Sequence, residues 1–278
     1  MKNLLTLTDL TKNEINNLLE VATQMRRIVN SPYKKGPQLI GKVVAGVWNK
    51  PSISSTAFQL ATAYLSGACC PVFGADDVLS QCRAFDSMGV NTLVISCDND
   101  NLAKSFADTS RLSVVNGGSS QYDPIGVLAD LMALSMRLDG LQNLNVLVVG
   151  NRDVNKINEL NHCLQLFGSN VIWYLPPDDF VTTRKGIVID RAEAAFSGVD
   201  AVVDLGLATF SSADKYYGAN GGIAESLMDR ARINCPLLGS RNVVDKTGVK
   251  VYPHNIVNTR ESCYVAAAMA VLYLLQRD

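Results

Sequence analysis

Histidine is the first scarcity. The chain has two, His162 and His254, and neither stands in a metal-ligand spacing, so no metal site is expected. The seven cysteines, at 69, 70, 82, 97, 163, 235 and 263, include no Cys-x-x-Cys pair. An odd number without a framework pattern fits reduced thiols in a cytoplasmic protein. Net charge is only −1, so there is no surplus of positive charge for nucleic acid or an anionic membrane. No Gly-x-Gly-x-x-Gly occurs, which argues against a dinucleotide, and no cofactor is expected. The longest apolar stretch, Val265 to Leu275, is too short to span a bilayer and reads as a buried terminal helix. The opening residues, Met1 to Asp9, lack the long apolar core of a signal peptide.

What remains is a globular composition. Of 278 residues, 47% are hydrophobic and 18% charged, enough for two ordinary domains with sizeable cores. The chain is organised around Trp48-Asn49-Lys50-Pro51-Ser52-Ile53-Ser54-Ser55-Thr56-Ala57-Phe58. An apolar run from Val43 breaks at Lys50-Pro51, and a helical pattern follows through Ala57, Phe58, Leu60, Ala61, Tyr64 and Leu65. The four hydroxyls Ser52, Ser54, Ser55 and Thr56 at that helix start have two readings. One is an ordinary N-cap. The other is an anion site, because the first helical N–H groups lack partners and the macrodipole is positive there.

Elsewhere the pattern is strand, turn, helix. Thr11-Lys12-Asn13-Glu14 is a capping box before Ile15, Leu18, Leu19, Ala22 and Met25 at helical spacing. A helix is expected near 77–88, a buried parallel strand at Asn91–Ser96, and a strand-to-turn unit at Leu112–Gly118. Asp123-Pro124 opens another helix, as N-cap and Pro at N1, and Asp139-Gly140 ends it at a domain boundary. A second βα series starts at Asn145-Val146-Leu147-Val148-Val149. There Gly150 permits a tight turn at a strand's carboxyl end, where open α/β sheets place ligands. Strands are expected at Val171–Leu175 and Ala201–Leu205, a helix at 190–197, and a glycine-rich flexible segment around Gly218, Gly221 and Gly222. Cys235 is read as a packed structural thiol rather than a nucleophile, since no cationic partner lies near it in sequence.

Several of these stretches, in register, resemble the aspartate/ornithine carbamoyltransferase family. Lys50, Pro51 and Ser52 match the family's Phe-x-Lys-Pro-Ser-Thr-Arg-Thr-Arg, and Ser55 stands for its second Thr, while Ser54 and Thr56 replace both arginines. Tyr122 to Leu131 resembles His-Pro-x-Gln-x-x-x-Asp-Leu: Pro124, Leu128, Ala129, Asp130 and Leu131 are kept, with Asp123 and Gly126 at the His and Gln positions. Cys235 to Val243 resembles His-Pro-x-Pro-x-x-Arg-Gly-Val and keeps Pro236, Arg241 and Val243; Leu237 follows the proline, and Cys235 replaces the histidine. Ser96 stands where relatives end a strand in arginine, and Lys156 where aspartate carbamoyltransferases carry one. Gly206 to Ser212 holds neither a Ser-Met-Gly triplet nor an Arg-x-Gln, so the acceptor stays unassigned.

The resemblance implies two doubly wound parallel-sheet α/β domains. These are a carbamoyl-phosphate-type domain at 1–139, an amino-acid-type domain at 140–257, and a C-terminal helix, 258–278, that returns to the first. It implies Ser52, Ser54, Ser55, Thr56, Asp123 and Gly126 as a vestigial site for carbamoyl phosphate or another small anion, and Lys156, Leu237 and Arg241 as second-substrate residues. No catalytic residue is assigned. Carbamoyl transfer relies on holding a dianion and polarising its carbonyl, work suited to the planar fork of arginine. The expectation is therefore a degenerate site without the usual transferase activity, in a homotrimer that serves as a binding or assembly partner, with an active carbamoyltransferase relative as a candidate partner. The alternative is an active enzyme that carbamoylates the amino group of an unusual amino-acid-like acceptor.

Overall fold

The computed structural model describes residues 1–74, 78–150, 156–174, 187–189, 191–206, 222–239, 243–245 and 248–277. They divide into two units, Met1–Met132 with Glu261–Asp278, and Ala133–Arg260.

In the first unit, α1 (Lys12–Asn30) starts at the Thr11/Glu14 capping box, both arms of which are made. The sheet comprises β1 (Val43–Trp48), β2 (Ala68–Phe73), β3 (Thr92–Ser96) and β4 (Ser113–Asn116). Its order is β2-β1-β3-β4 and every pairing is parallel. The intervening helices are α2 (Ile53–Tyr64), α3 (Val78–Ser87) and α4 (Asp100–Thr109). The central strands are buried on both faces, as continuous apolar runs require. β2 lies at the edge, largely exposed, and there Pro71 costs no interior ladder bond. Ala45, Val47, Leu93, Ile95 and Val114 pack with Phe85 and Phe106 into one core. Val44, Gly46 and Trp48 alternate with Ala45 and Val47 and so line the other face.

The helix α5 (Pro124–Leu138) leads out of this unit and α9 (Val257–Leu275) leads back. α9 packs on the first domain. Arg26 Nε of α1 donates to Ser262 Oγ (3.1 Å) and Gln276 Nε2 donates to Thr92 Oγ1 (2.7 Å). Its residues from Cys263 to Leu275 are almost all buried, which fits a helix apolar all round. No helix among the described residues is long and apolar enough to cross a membrane.

The second unit holds β5 (Asn145–Val149), α6 (Ile157–Leu166), β6 (Asn170–Tyr174), β7 (Ile187–Val188), α7 (Ala192–Ala195) and β8 (Ala201–Asp204). These are followed by β9 (Ile223–Ala224), α8 (Glu225–Met228) and β10 (Leu237–Leu238). Five strands form a parallel sheet in the order β10-β8-β5-β6-β7. β11 (Val243–Asp245) and β12 (Gly248–Lys250) form a hairpin, and β11 pairs in parallel with β9. The helix expected at 190–197 is the single turn α7. The expected flexible glycine segment, apart from Gly222, lies outside the described residues.

Candidate functional site

In each doubly wound sheet the order reverses at one point, and the crevice at the carboxyl ends of the strands flanking it is where such folds bind ligands. In the first unit these strands are β1 and β3. β1 ends at Trp48, after which the chain turns through Pro51 into α2. Ser52 caps α2: its Oγ accepts from Ser55 N (3.2 Å), while Ser55 Oγ accepts from Ser52 N (2.9 Å) and donates to Ser52 O (2.9 Å). Ser54 Oγ donates to Gly117 O (2.7 Å) and accepts from Trp48 Nε1 (3.4 Å). Ser54 and Ser55 are buried, whereas Thr56 is exposed. Three of the four hydroxyls are thus spent on the protein itself. The N-cap reading accounts for Ser52 and Ser55, and Ser54 ties α2 to the turn after β4.

That turn is Gly117-Gly118. A methyl group at 117 would meet Val94 Cγ1 at 2.8 Å, and Gly118 has φ +118, so the backbone lies close against the end of β3. Ser96, half-buried, ends β3 beside it. Further along, Asp123 is nine-tenths buried and caps α5. Its Oδ1 accepts from Gly126 N (3.0 Å) and from Tyr264 OH of α9 (3.3 Å). A methyl group at 126 would overlap the Asp123 carboxylate. The two residues are coupled: glycine at 126 leaves the space in which the carboxylate sits.

In the second unit the reversal lies between β5 and β8. Gly150 takes φ +93, and a methyl group there would overlap the carbonyl of Gly206. Asp204 Oδ1 accepts from Gly206 N (2.9 Å), and a methyl group at Gly239 would approach Asp204 Cβ to 2.6 Å. Lys156 is half-buried at the N-cap position of α6. Leu237 is fully buried in a core with Tyr174, Phe196 and Val202, and its backbone is paired with His254 O and Ile256 N. Arg241 lies outside the described residues. Cys235 is buried, and desolvation foremost, with the Asp200 carboxylate adding to it, pushes its thiol from 9.0 up to about 12. Such a thiol stays protonated at neutral pH and is a poor nucleophile. Among the described residues no group of three or more histidines, cysteines or acids is placed to hold a metal ion.

Residues 2–136 match the aspartate/ornithine carbamoyltransferase, carbamoyl-P binding domain. These residues, which span the first unit's sheet, carry the carbamoyl-P binding domain of the aspartate/ornithine carbamoyltransferase superfamily. It is 27% identical over 300 aligned positions to the aspartate carbamoyltransferase catalytic subunit of Carboxydothermus hydrogenoformans, covering 99% of this chain and 96% of that one. Against the Moorella thermoacetica catalytic subunit it is 29% identical over 217 positions, with 72% of this chain and 70% of that one covered. In fold it is similar to the ornithine carbamoyltransferase of Thermus thermophilus (TM-score 0.81, 22% identity, 99% of both chains). It is equally similar to the catalytic subunit of M. jannaschii aspartate transcarbamoylase (TM-score 0.82, 18% identity, 100% of this chain and 99% of that one).

Within this carbamoyltransferase fold, the sequence-read residues Ser52, Ser54, Ser55 and Thr56 gather at one strand end, and Asp123 and Gly126 gather at the start of α5. Three participants escaped sequence reading: Trp48 as the partner of Ser54, the Gly117 carbonyl, and the Tyr264 hydroxyl. The pairing of Trp48 with Gly46, two residues apart on one strand face, was the available signal for the first. The Gly117-Gly118 dipeptide was the signal for the second. Tyr264 carried none.

Proposed function

We propose that this is a carbamoyltransferase-family protein with a degenerate carbamoyl-phosphate site, lacking the usual transcarbamylase activity and serving as a binding or assembly partner. The observation that carries this reading is the internal use of the α2 hydroxyls, above all Ser54 Oγ on the Gly117 carbonyl. The family resemblance puts arginine at positions 54, 56 and 96, and this chain has Ser54, Thr56 and Ser96 there. Each charge-assisted bond is worth about 1.5–3 kcal/mol, so their joint loss removes affinity on the order of 10³-fold or more. Asp123 supports the same reading, because its carboxylate sets negative charge near where a dianion would be held. By the same resemblance we place Lys156, Leu237 and Arg241 at the second-substrate side, the protein in the cytoplasm, and its assembly as a homotrimer. An active relative in the same cell is a natural partner for such a scaffold.

Isothermal titration of the purified protein with carbamoyl phosphate tests the reading. The expected result is no binding at millimolar ligand and no phosphate release with any amine acceptor. Micromolar binding, or turnover, overturns it in favour of an active carbamoyltransferase with an unusual acceptor.

A further inference from the structure

Trp48 sits where the sheet of the first unit opens toward a ligand, yet it is 1% exposed. Its indole lies back over its own strand, above Gly46, where any side chain would overlap the ring. Phe58 of α2 and Phe73 of β2 hold it from two sides, with ring centroids at 6.3 and 6.1 Å. The indole N–H points to Ser54 Oγ at 3.4 Å, and that hydroxyl is fixed in turn on Gly117 O at 2.7 Å. Ser54 is 8% exposed. A longer side chain at 54 must therefore displace either the indole or the Gly117 turn, and the turn is held by Gly117 N donating to Ile95 O (2.8 Å) and Gly118 N donating to Asn116 Oδ1 (3.0 Å).

We propose that Trp48 is the specificity-determining plug of this strand-end site: it closes the space beside Ser54 and so sets what position 54 can present to a ligand. Gly46, Trp48 and Ser54 form a matched set, a small residue under the ring, the ring itself, and a hydroxyl short enough to accept from it. The proposal deepens the degenerate-site reading and rests on it, and its consequence is that a cation restored at 54 alone does not recover anion binding.

The test is a thermal-unfolding cycle over Trp48→Phe, Ser54→Arg and the double variant, each measured with and without inorganic phosphate at constant ionic strength. Overpacking in the Trp48 background lowers the midpoint of Ser54→Arg by about 5–10 °C. In the Trp48→Phe background the same change lowers it by less than half as much. Phosphate then raises the midpoint of the double variant only, since binding to the folded state stabilises it. Equal losses in both backgrounds overturn the proposal. So does a phosphate response already present in Ser54→Arg alone, or one absent from the double variant. If Ser54→Arg does not fold, Ser54→Lys gives the same cycle with a shorter cationic side chain. Carbamoyl phosphate binding by the unaltered protein overturns the degenerate-site reading instead, and leaves the coupling between 48 and 54 to be read separately.

Discussion

At the start of α5, Asp123 supplies from within the protein the negative charge that a helix N-terminus favours. Two substitutions separate its cap from mere space-filling. Asp123→Ala removes the acceptor of Gly126 N and Tyr264 OH and should cost about 1 kcal/mol, read from the denaturant midpoint. Gly126→Ala would ordinarily stabilise a helix interior by up to about 1 kcal/mol. Here the added methyl meets the Asp123 carboxylate, so a loss is expected in place of that gain. A stabilised Gly126→Ala would mean that the carboxylate yields freely and that the two positions are independent.

At the scale of the element, α2 is set by its first turn. The reciprocal bonds between Ser52 and Ser55 satisfy N–H groups that no helical carbonyl reaches. Ser52→Ala and Ser55→Ala should each destabilise the first unit by roughly 0.5–2 kcal/mol, and the double variant by less than their sum, because the box is one shared interaction. Additive losses in urea unfolding would show that the two hydroxyls act separately. The Thr11/Glu14 box on α1 has the same form, with Glu14 held below the usual carboxylate range by its bonds to the Thr11 backbone and hydroxyl. The sequence identified that box outright, since its spacing admits few other uses. It left the Ser/Thr cluster of α2 open between cap and anion site, because local spacing alone does not distinguish a hydroxyl that bonds the helix from one that bonds a ligand.

For the whole molecule, the buried thiols govern behaviour in alkali. All seven cysteines are free. Burial raises Cys69 from 9.0 to about 11, and Cys82 and Cys235 to about 12; it likewise raises the Tyr252 hydroxyl from 10.0 to about 12. These groups stay protonated in the folded protein after the unfolded chain has begun to ionise. The unfolded state then binds fewer protons, so stability falls as pH rises from about 9 toward 12, and is unaffected by these groups below that window. Urea midpoints at pH 7.5, 9 and 10.5 should decline over the upper interval, and decline less in Cys82→Ala or Cys235→Ala. A flat profile would show that the thiols are reached by solvent in the native state. The proposed trimer is open to a direct mass measurement: light scattering should report three times the 30.0 kDa chain, and a monomer would remove the assembly part of the proposal.

The sequence by itself determined the alternation of strand and helix and the capping residues, because apolar periodicity and capping are local patterns; the two parallel sheets followed from its resemblance to the carbamoyltransferase family. It also located two strand ends at which a ligand would sit, through Pro51 and Gly150. Only the tertiary structure decided how the residues at those ends are used. The partner of the Ser54 hydroxyl lies 63 residues away at Gly117, and that of Asp123 lies 141 residues away at Tyr264. No spacing rule reaches across such separations, and whether a buried hydroxyl or carboxylate serves a ligand or the fold depends on which atom completes its hydrogen bond.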